Sequence, residues 1–326
     1  MNIFALSLAL CLLPPDDGPG PERATVVVVV GSPGSADYEV QFRQWADRWK
    51  QAAAKGSARF EAIGLDRPAE GTDRDRLRAA LADAGPGPLW LVLIGHGTFD
   101  GREAKFNLRG PDVTDAELAA WLGSTPAKPL AVLDCTSSSG TFLPRLSGEG
   151  RVVVTATKSG QEQNFARFGE YLARAIGDPG ADGDKDGQVS LLEAFLAASR
   201  DVAEFYKGKS RLATEHALID DNGDKLGTPA DWFRGVRATR KAKDGATADG
   251  VRAHQVHLVP GDRERALTPE ARRRRDEIEV AVAALRDRKS TLPPAEYYRQ
   301  LEPLMLDLAR IYAGPAGQAG DGKTRD

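Results

Sequence analysis

The sequence predicts an α/β fold with a mostly parallel central sheet, helices on both faces of that sheet, and a C-terminal helical hairpin. Three observations support this prediction. Continuous apolar runs rich in β-branched residues recur along the first part of the chain, helical patterns separate them, and the last sixty or so residues carry apolar stripes at helical spacing. With 326 residues and a 41% hydrophobic share, the chain is long enough to bury a substantial core.

The predicted strands are unbroken apolar runs, a pattern typical of strands that are covered on both faces. They are Ala24–Gly31, Arg59–Gly64, Leu89–Ile94, Leu130–Leu133 and Arg151–Ala156. The predicted helices between them are Tyr38–Lys55, Arg74–Ala84, Thr114–Leu122 and Phe165–Ile176. Because strands and helices alternate, right-handed crossover connections and an α/β/α sandwich are expected.

The chain divides into a leader, a sheet domain, a linker or irregular segment, a helical hairpin and a disordered tail. Their predicted bounds are 1–22, 23–240, 241–266, 267–313 and 314–326. Thr268 followed by Pro269 is typical of a helix start, and Leu292–Pro294 interrupts the helical pattern to make the hairpin. The run Arg272–Arg275 is either a solvated helix face or a docking surface for a protein partner.

The leader contains the apolar run Ile3–Leu13, which is too short to span a bilayer and has the length of a signal-peptide core, although no Lys or Arg precedes it. It predicts an exported protein, periplasmic or secreted, with no stable membrane span. The formal net charge of −3 gives no basic excess, so nucleic-acid binding is not expected. The cysteines are Cys11 and Cys135, and loss of the leader would leave no internal disulfide.

Two residues follow successive predicted strands and form a candidate catalytic pair. His96 lies between two glycines just after Leu89–Ile94, and Cys135 lies just after Leu130–Leu133. The carboxyl ends of neighbouring parallel strands meet at one edge of a sheet, where doubly wound folds place their sites. A histidine can activate a thiol, and the N–H groups of Gly97 and Cys135 could stabilise an oxyanion. The alternative is an inert buried cysteine beside an ordinary turn.

The segments ending in His96–Gly97 and Asp134–Ser138 resemble the signature of the caspase-fold cysteine peptidases, over about residues 24 to 235. The glycine-serine loop at Val30–Gly34 and the following Phe42–Asp47 are similar to the legumain branch of that clan. The resemblance implies a His96/Cys135 dyad that cleaves peptide bonds through a thioester intermediate. It also suggests a substrate pocket near Arg43, Thr136 and Thr157. Legumains carry an acidic residue where this chain has Thr136, so their specificity is not carried over, and Arg43 could equally be a solvated helix residue.

The segment 182–193 fits a twelve-residue calcium loop of the EF-hand type. Its predicted ligands are oxygen atoms of Asp182, Asp184, Asp186, Gln188 (through its carbonyl), Ser190 (directly or through water) and Glu193. Gly187 supplies the turn. The alternative is an acidic, helix-capping loop that binds no ion. The later segment Asp220–Asp224 is either a plain turn or a second calcium site, and no role is predicted for His216, His254 or His257.

These features support three functional hypotheses. The first is an exported cysteine endopeptidase with a bound calcium ion, acting on peptide or protein substrates. The second is a catalytically silent relative that serves as a calcium-stabilised peptide- or protein-binding module, with the C-terminal helices as a docking element. The third is a hydrolase of another ester or amide that uses the same dyad.

Overall fold

In the computed structural model of the chain, residues 23–66, 70–244 and 246–317 are described. The predicted signal peptide (1–22) and residues 318–326 of the predicted tail lie outside this part. Within it, the α/β fold with a mostly parallel sheet and C-terminal helices is confirmed. None of the helices in these ranges is both long enough and apolar enough to span a membrane.

The central sheet has seven strands in the order β10-β9-β8-β7-β3-β1-β2. The strands and those of two small sheets are β1 Thr25–Val30, β2 Arg59–Ile63, β3 Leu89–Ile94, β4 Gly97–Phe99, β5 Ala104–Phe106, β6 Val113–Thr114, β7 Leu130–Asp134, β8 Arg151–Thr155, β9 Leu218–Asp220, β10 Thr228–Pro229, β11 Phe233–Arg234 and β12 Arg237–Ala238. In the central sheet the four pairs among β8, β7, β3, β1 and β2 are parallel, and β9 and β10 add antiparallel strands at one edge. The predicted runs form the five parallel strands, as expected for segments buried on both faces.

Helices cover both faces of the sheet. The helices are α1 Ala36–Lys55, α2 Asp73–Ala82, α3 Asp115–Gly123, α4 Leu143–Leu146, α5 Phe168–Ala175, α6 Leu191–Gly208, α7 Val251–Gln255, α8 Asp262–Ala266, α9 Pro269–Asp287 and α10 Pro294–Gly317. One core cluster joins the sheet to α1, α5 and α6, and the other joins its opposite face to α2, α3 and α4. The five parallel strands supply both clusters because their side chains alternate between the two faces.

The segment 241–266 was predicted to be a linker or irregular segment, and its part at 246–266 is packed against the sheet domain. It contains α7 and α8, and its residues Ala253, Val256 and Leu258 are buried in the core cluster shared with α1, α5 and α6. The sequence of this segment did not predict the packing because only a few apolar residues contact the core. The hairpin of α9 and α10 follows as predicted, with α10 continuing to Gly317, past the predicted tail boundary.

Candidate functional site

The strand ends that carry His96 and Cys135 are adjacent. β3 and β7 are parallel neighbours, with Leu93 opposite Asp134, so both chains leave the sheet at the same carboxyl edge. The order of the sheet reverses between β1 and β3, and crevices at such a reversal commonly bind ligands. The placement of these two residues at one edge is therefore as the sequence predicted.

The side chain of Cys135 points into the core rather than towards that edge. It belongs with Ala131 and Leu133 to the cluster under α1 and α5, and the residue is 1% exposed. A Cβ added at Gly169 of α5 would lie 2.6 Å from the Cys135 Cβ, which shows how closely α5 covers it. The Sγ atom lies 3.9 Å from the Leu133 carbonyl. Burial, followed by the charges of Asp134 and Glu215, raises the pKa of the thiol.

His96 lies in an aromatic pocket on the same side of the sheet. Its half-buried ring is 4.9 Å from Tyr38, 5.4 Å from Phe42 and 6.1 Å from Phe165, measured between centroids. Its Nε2 atom lies 3.2 Å from the Pro33 carbonyl. No hydrogen bond among the described residues joins His96 to Cys135. The ring is thus positioned by α1 and the loop after β1, and not by the thiol.

Both N–H groups predicted to stabilise an oxyanion are already engaged. The Gly97 N–H donates to the Ser137 hydroxyl at 3.3 Å, and the Cys135 N–H donates to the Leu93 carbonyl at 3.0 Å. A donor that already has a partner in the fold is not preorganised to bind a developing negative charge. The geometry therefore does not support the oxyanion role predicted for Gly97 and Cys135.

Hydroxyl residues, not the thiol, face the histidine loop. A Cβ added at Gly97 would lie 2.3 Å from the Ser137 carbonyl and 2.8 Å from the Thr136 hydroxyl. Thr136 is fully buried, and its hydroxyl donates to the Asp134 carboxylate at 2.6 Å. Burial raises the pKa of Asp134 to about 6. Strand alternation explains the arrangement, because residues one position on either side of Cys135 point away from it.

The predicted substrate-pocket residues do not share one cavity. Thr157 is fully buried, and its hydroxyl accepts a hydrogen bond from the Gly140 N–H at 3.0 Å. Thr136 is likewise buried, so both have structural contacts. Arg43 is half-exposed and donates to the Leu65 carbonyl at 3.0 Å. It lines a cavity of about 880 Å³ that also includes Pro33, next to His96.

The predicted calcium loop brings its aspartates together. Carboxylate oxygens of Asp182, Asp184 and Asp186 all lie within 4.8 Å of one another. Asp182 also accepts hydrogen bonds from the Lys185 N–H at 2.6 Å and the Gly187 N–H at 3.1 Å, which fold the loop around it. Burial, then the nearby carboxylates, raises the pKa of Asp184. A cluster of oxygen donors with crowded negative charge suits Ca²⁺.

The side chains of the remaining predicted ligands, Glu193, Ser190 and Gln188, all form hydrogen bonds with backbone N–H groups. Glu193 is buried, and its carboxylate accepts hydrogen bonds from the N–H groups of Gly183 and Asp184, at 2.8 and 3.2 Å, and of Ser190 at 2.9 Å. Ser190 caps α6 by accepting from the Glu193 N–H, so its hydroxyl acts as a helix cap. The Gln188 side chain accepts from the Gly261 N–H at 3.0 Å.

A histidine that the sequence did not identify approaches this loop. The Nε2 atom of His254 in α7 lies 3.1 Å from Asp184, and oxygens of Asp184 and Glu193 lie within 4.8 Å of it. The loop also pairs with the chain after α7, through a bridge between Ser190 and His257. About seventy residues separate His254 from Asp184, so no local pattern could reveal the contact.

A second acidic loop follows β9. Asp220 accepts hydrogen bonds from the Gly223 N–H at 2.9 Å and the Lys225 N–H at 3.0 Å. Asn222 and Asp224 each accept from the N–H two residues further on, at 2.8 and 2.9 Å. The segment is therefore a well-formed turn, and in this respect the structure matches the plain-turn alternative.

Two more buried carboxylates, Asp221 within this turn and Asp249 outside it, connect the turn to the start of α7. Asp221 accepts from the N–H groups of Gly250 and Ala253, at 2.9 and 2.8 Å, which anchors the start of α7. Asp249 accepts from the Asp221 N–H at 3.1 Å and from the Thr228 hydroxyl at 2.5 Å. Burial, followed by the charge of Asp221, raises the pKa of Asp249.

No protein-family model matches the chain, and no curated protein matches it.

Proposed function

We propose that the chain is a catalytically silent module that binds peptides or proteins and is stabilised by a calcium ion. The burial of Cys135 carries this proposal. A cysteine nucleophile must reach its substrate and ionise near neutral pH, whereas this thiol is 1% exposed and its pKa is raised by burial. A thiol in such a place behaves as a small hydrophobic residue. The engaged N–H groups of Gly97 and Cys135 support the same conclusion.

The calcium ion of the proposal would be held by Asp182, Asp184, Asp186 and Glu193. It would offset the repulsion among carboxylates that, after burial, raises the pKa of Asp184. The loop connects the end of α5 to the start of α6 and contacts the segment after α7. Binding there would stabilise the packing of residues 246–266 on the sheet domain.

Alkylation by iodoacetamide tests the silent thiol. The native protein should react slowly, with a midpoint pH above the pKa of about 8.5 of an unperturbed thiol, and urea-unfolded protein should react quickly. The Cys135→Ala variant measures any label on Cys11 and is subtracted. Fast native labelling of Cys135 with a midpoint near neutral pH would contradict the proposal.

A cysteine peptidase is the second candidate, favoured by the position of His96 and Cys135 on one face at one sheet edge. Phe42 contacts the His96 ring and also lies 5.5 Å from Trp45, which packs near Cys135 beside Gly169. Wild type and Cys135→Ala would be incubated with a peptide library, with calcium and with chelator. Cleavage that is lost in the variant would establish the peptidase and overturn the silent module. No difference between the two proteins is the result that the first proposal expects.

A further inference from the structure

A groove of about 760 Å³ lies between α6 and the β11–β12 hairpin. One wall is a single face of α6, because Glu193, Leu196, Ala197 and Arg200 are three or four positions apart. The other wall is the segment 233–239. This volume is within the range of about 300–1,000 Å³ found for ligand sites.

The base of the groove is apolar and anchored. Leu196, Phe233 and Val236 line it, and each is a half-buried hydrophobic residue that packs against the main core. The Phe233 ring meets Phe195 edge-on at 6.4 Å between centroids. These contacts hold an apolar surface in place where a ligand side chain could be buried.

The rim of the groove is positively charged. Arg200, Arg234 and Arg237 line it, and neither Arg234 nor Arg237 forms an ion pair with a described residue. Within the described ranges, Arg200 pairs only with its chain neighbour Asp201, and such exposed pairs are weak. The acidic residues at the groove, Asp184 and Glu193, are proposed calcium ligands, so a bound ion would offset their charge.

We propose that this groove binds an acidic segment of a partner protein, with an apolar side chain on Leu196, Phe233 and Val236 and carboxylates paired with Arg234 and Arg237. The inference rests on the proposed binding module and names its site. A small inorganic anion would leave the apolar base unused. The β11–β12 sheet has only two strands, so its outer edges could also pair with an extended main chain.

Fluorescence anisotropy with a labelled hexapeptide, Glu-Asp-Phe-Leu-Asp-Glu, tests the proposal in calcium-containing buffer. The peptide should bind, and binding should weaken in high salt. The double variant Arg234→Glu/Arg237→Glu should weaken it by at least about tenfold, because like charges would then face each other. Val236→Ser should weaken it less and without a change in charge. Arg273→Glu/Arg286→Glu, on the exposed side of α9, is the matched control and should bind as wild type.

The groove proposal would be overturned by no binding of the hexapeptide, by equal affinity in the Arg234→Glu/Arg237→Glu protein, or by tighter binding of a Lys-for-acid peptide. Preferential binding of a single-stranded oligonucleotide would also overturn it. The thiol reactivity of Cys135 and the calcium-induced change in stability are measured on the same samples. If those two behave as proposed while the peptide fails, only the groove assignment is wrong.

Discussion

The two acidic loops share a backbone pattern and differ at the residue that closes them. In each loop the first carboxylate holds the N–H groups of the fourth and sixth residues, both of which have positive φ. The twelfth residues differ. Glu193 is buried and accepts hydrogen bonds from N–H groups of its own loop, whereas Asp231 is exposed and bonds to none of its loop among the described residues.

This difference separates the ability to form the turn from the ability to enclose a cation, although the same acidic sequence pattern is typical of both. Aspartate and asparagine at alternate positions form the turn by themselves, since their side chains accept hydrogen bonds from nearby N–H groups. Enclosing a cation requires a further carboxylate from the following helix. We therefore expect the first loop to bind calcium and the second to be a structural turn.

The largest effect is expected from Glu193→Gln. A hundredfold excess of calcium over its dissociation constant should stabilise the wild type by roughly 3 kcal/mol, and the variant should lose most of this gain. Glutamine can still complete the capping box with Ser190, so the helix start is preserved. Thermal unfolding with calcium and with chelator measures the gain. Asp201→Asn on the same helix and Asp231→Asn in the second loop should keep it; loss of the gain in Asp231→Asn would contradict the comparison.

The next effect is expected from Asp220→Ala, and it should not depend on calcium. Removal of the Asp220 carboxylate leaves the Gly223 N–H without its acceptor and the Lys225 N–H with only the Ser147 hydroxyl, at 3.2 Å. We expect this to cost about 2 kcal/mol in the free energy of unfolding. Urea unfolding in calcium and in chelator should show equal losses. The exposed Asp231→Ala is the control and should be neutral. A loss that appears only when calcium is present would mean that this loop binds the ion.

A pH-dependent effect is expected from Asp249→Asn. The folded-state pKa of Asp249 is raised, so its contribution to stability is complete below about pH 4 and is lost as pH rises through the folded pKa. Removing the charge should stabilise the protein on the order of 2 kcal/mol at pH 8 and much less at pH 4. Urea unfolding at both pH values in chelator tests this. If calcium removed the pH dependence of the wild type, the second loop would be a cation site.

The sequence predicted the parallel strands and the first acidic loop because each depends on neighbours in the chain. Continuous apolar runs required two covered faces, and Asp182 to Glu193 filled a fixed spacing. The inward orientation of the Cys135 side chain could also have been predicted, since Ala131, Leu133 and Cys135 lie on one side of a strand whose side chains alternate. The contact of His254 with Asp184 could not be predicted from the sequence, because packing between distant segments creates it. The strands β11 and β12 could not be predicted either, because they have two residues each and no apolar pattern.

The smallest effect is expected from Lys225→Gly, at the sixth position of the second loop. Lys225 has φ of 71°, a left-handed conformation that costs a residue with a side chain about 1 kcal/mol, whereas the first loop has Gly187 at the matching position. Glycine there should stabilise the protein by about 0.5–1 kcal/mol in urea unfolding, with its N–H still bonded to Asp220. The exposed helical Lys50→Gly should instead destabilise by about 1 kcal/mol. A destabilised Lys225→Gly protein would mean that the lysine side chain, and not only the backbone, holds the second loop, and the two loops would then differ at a second position.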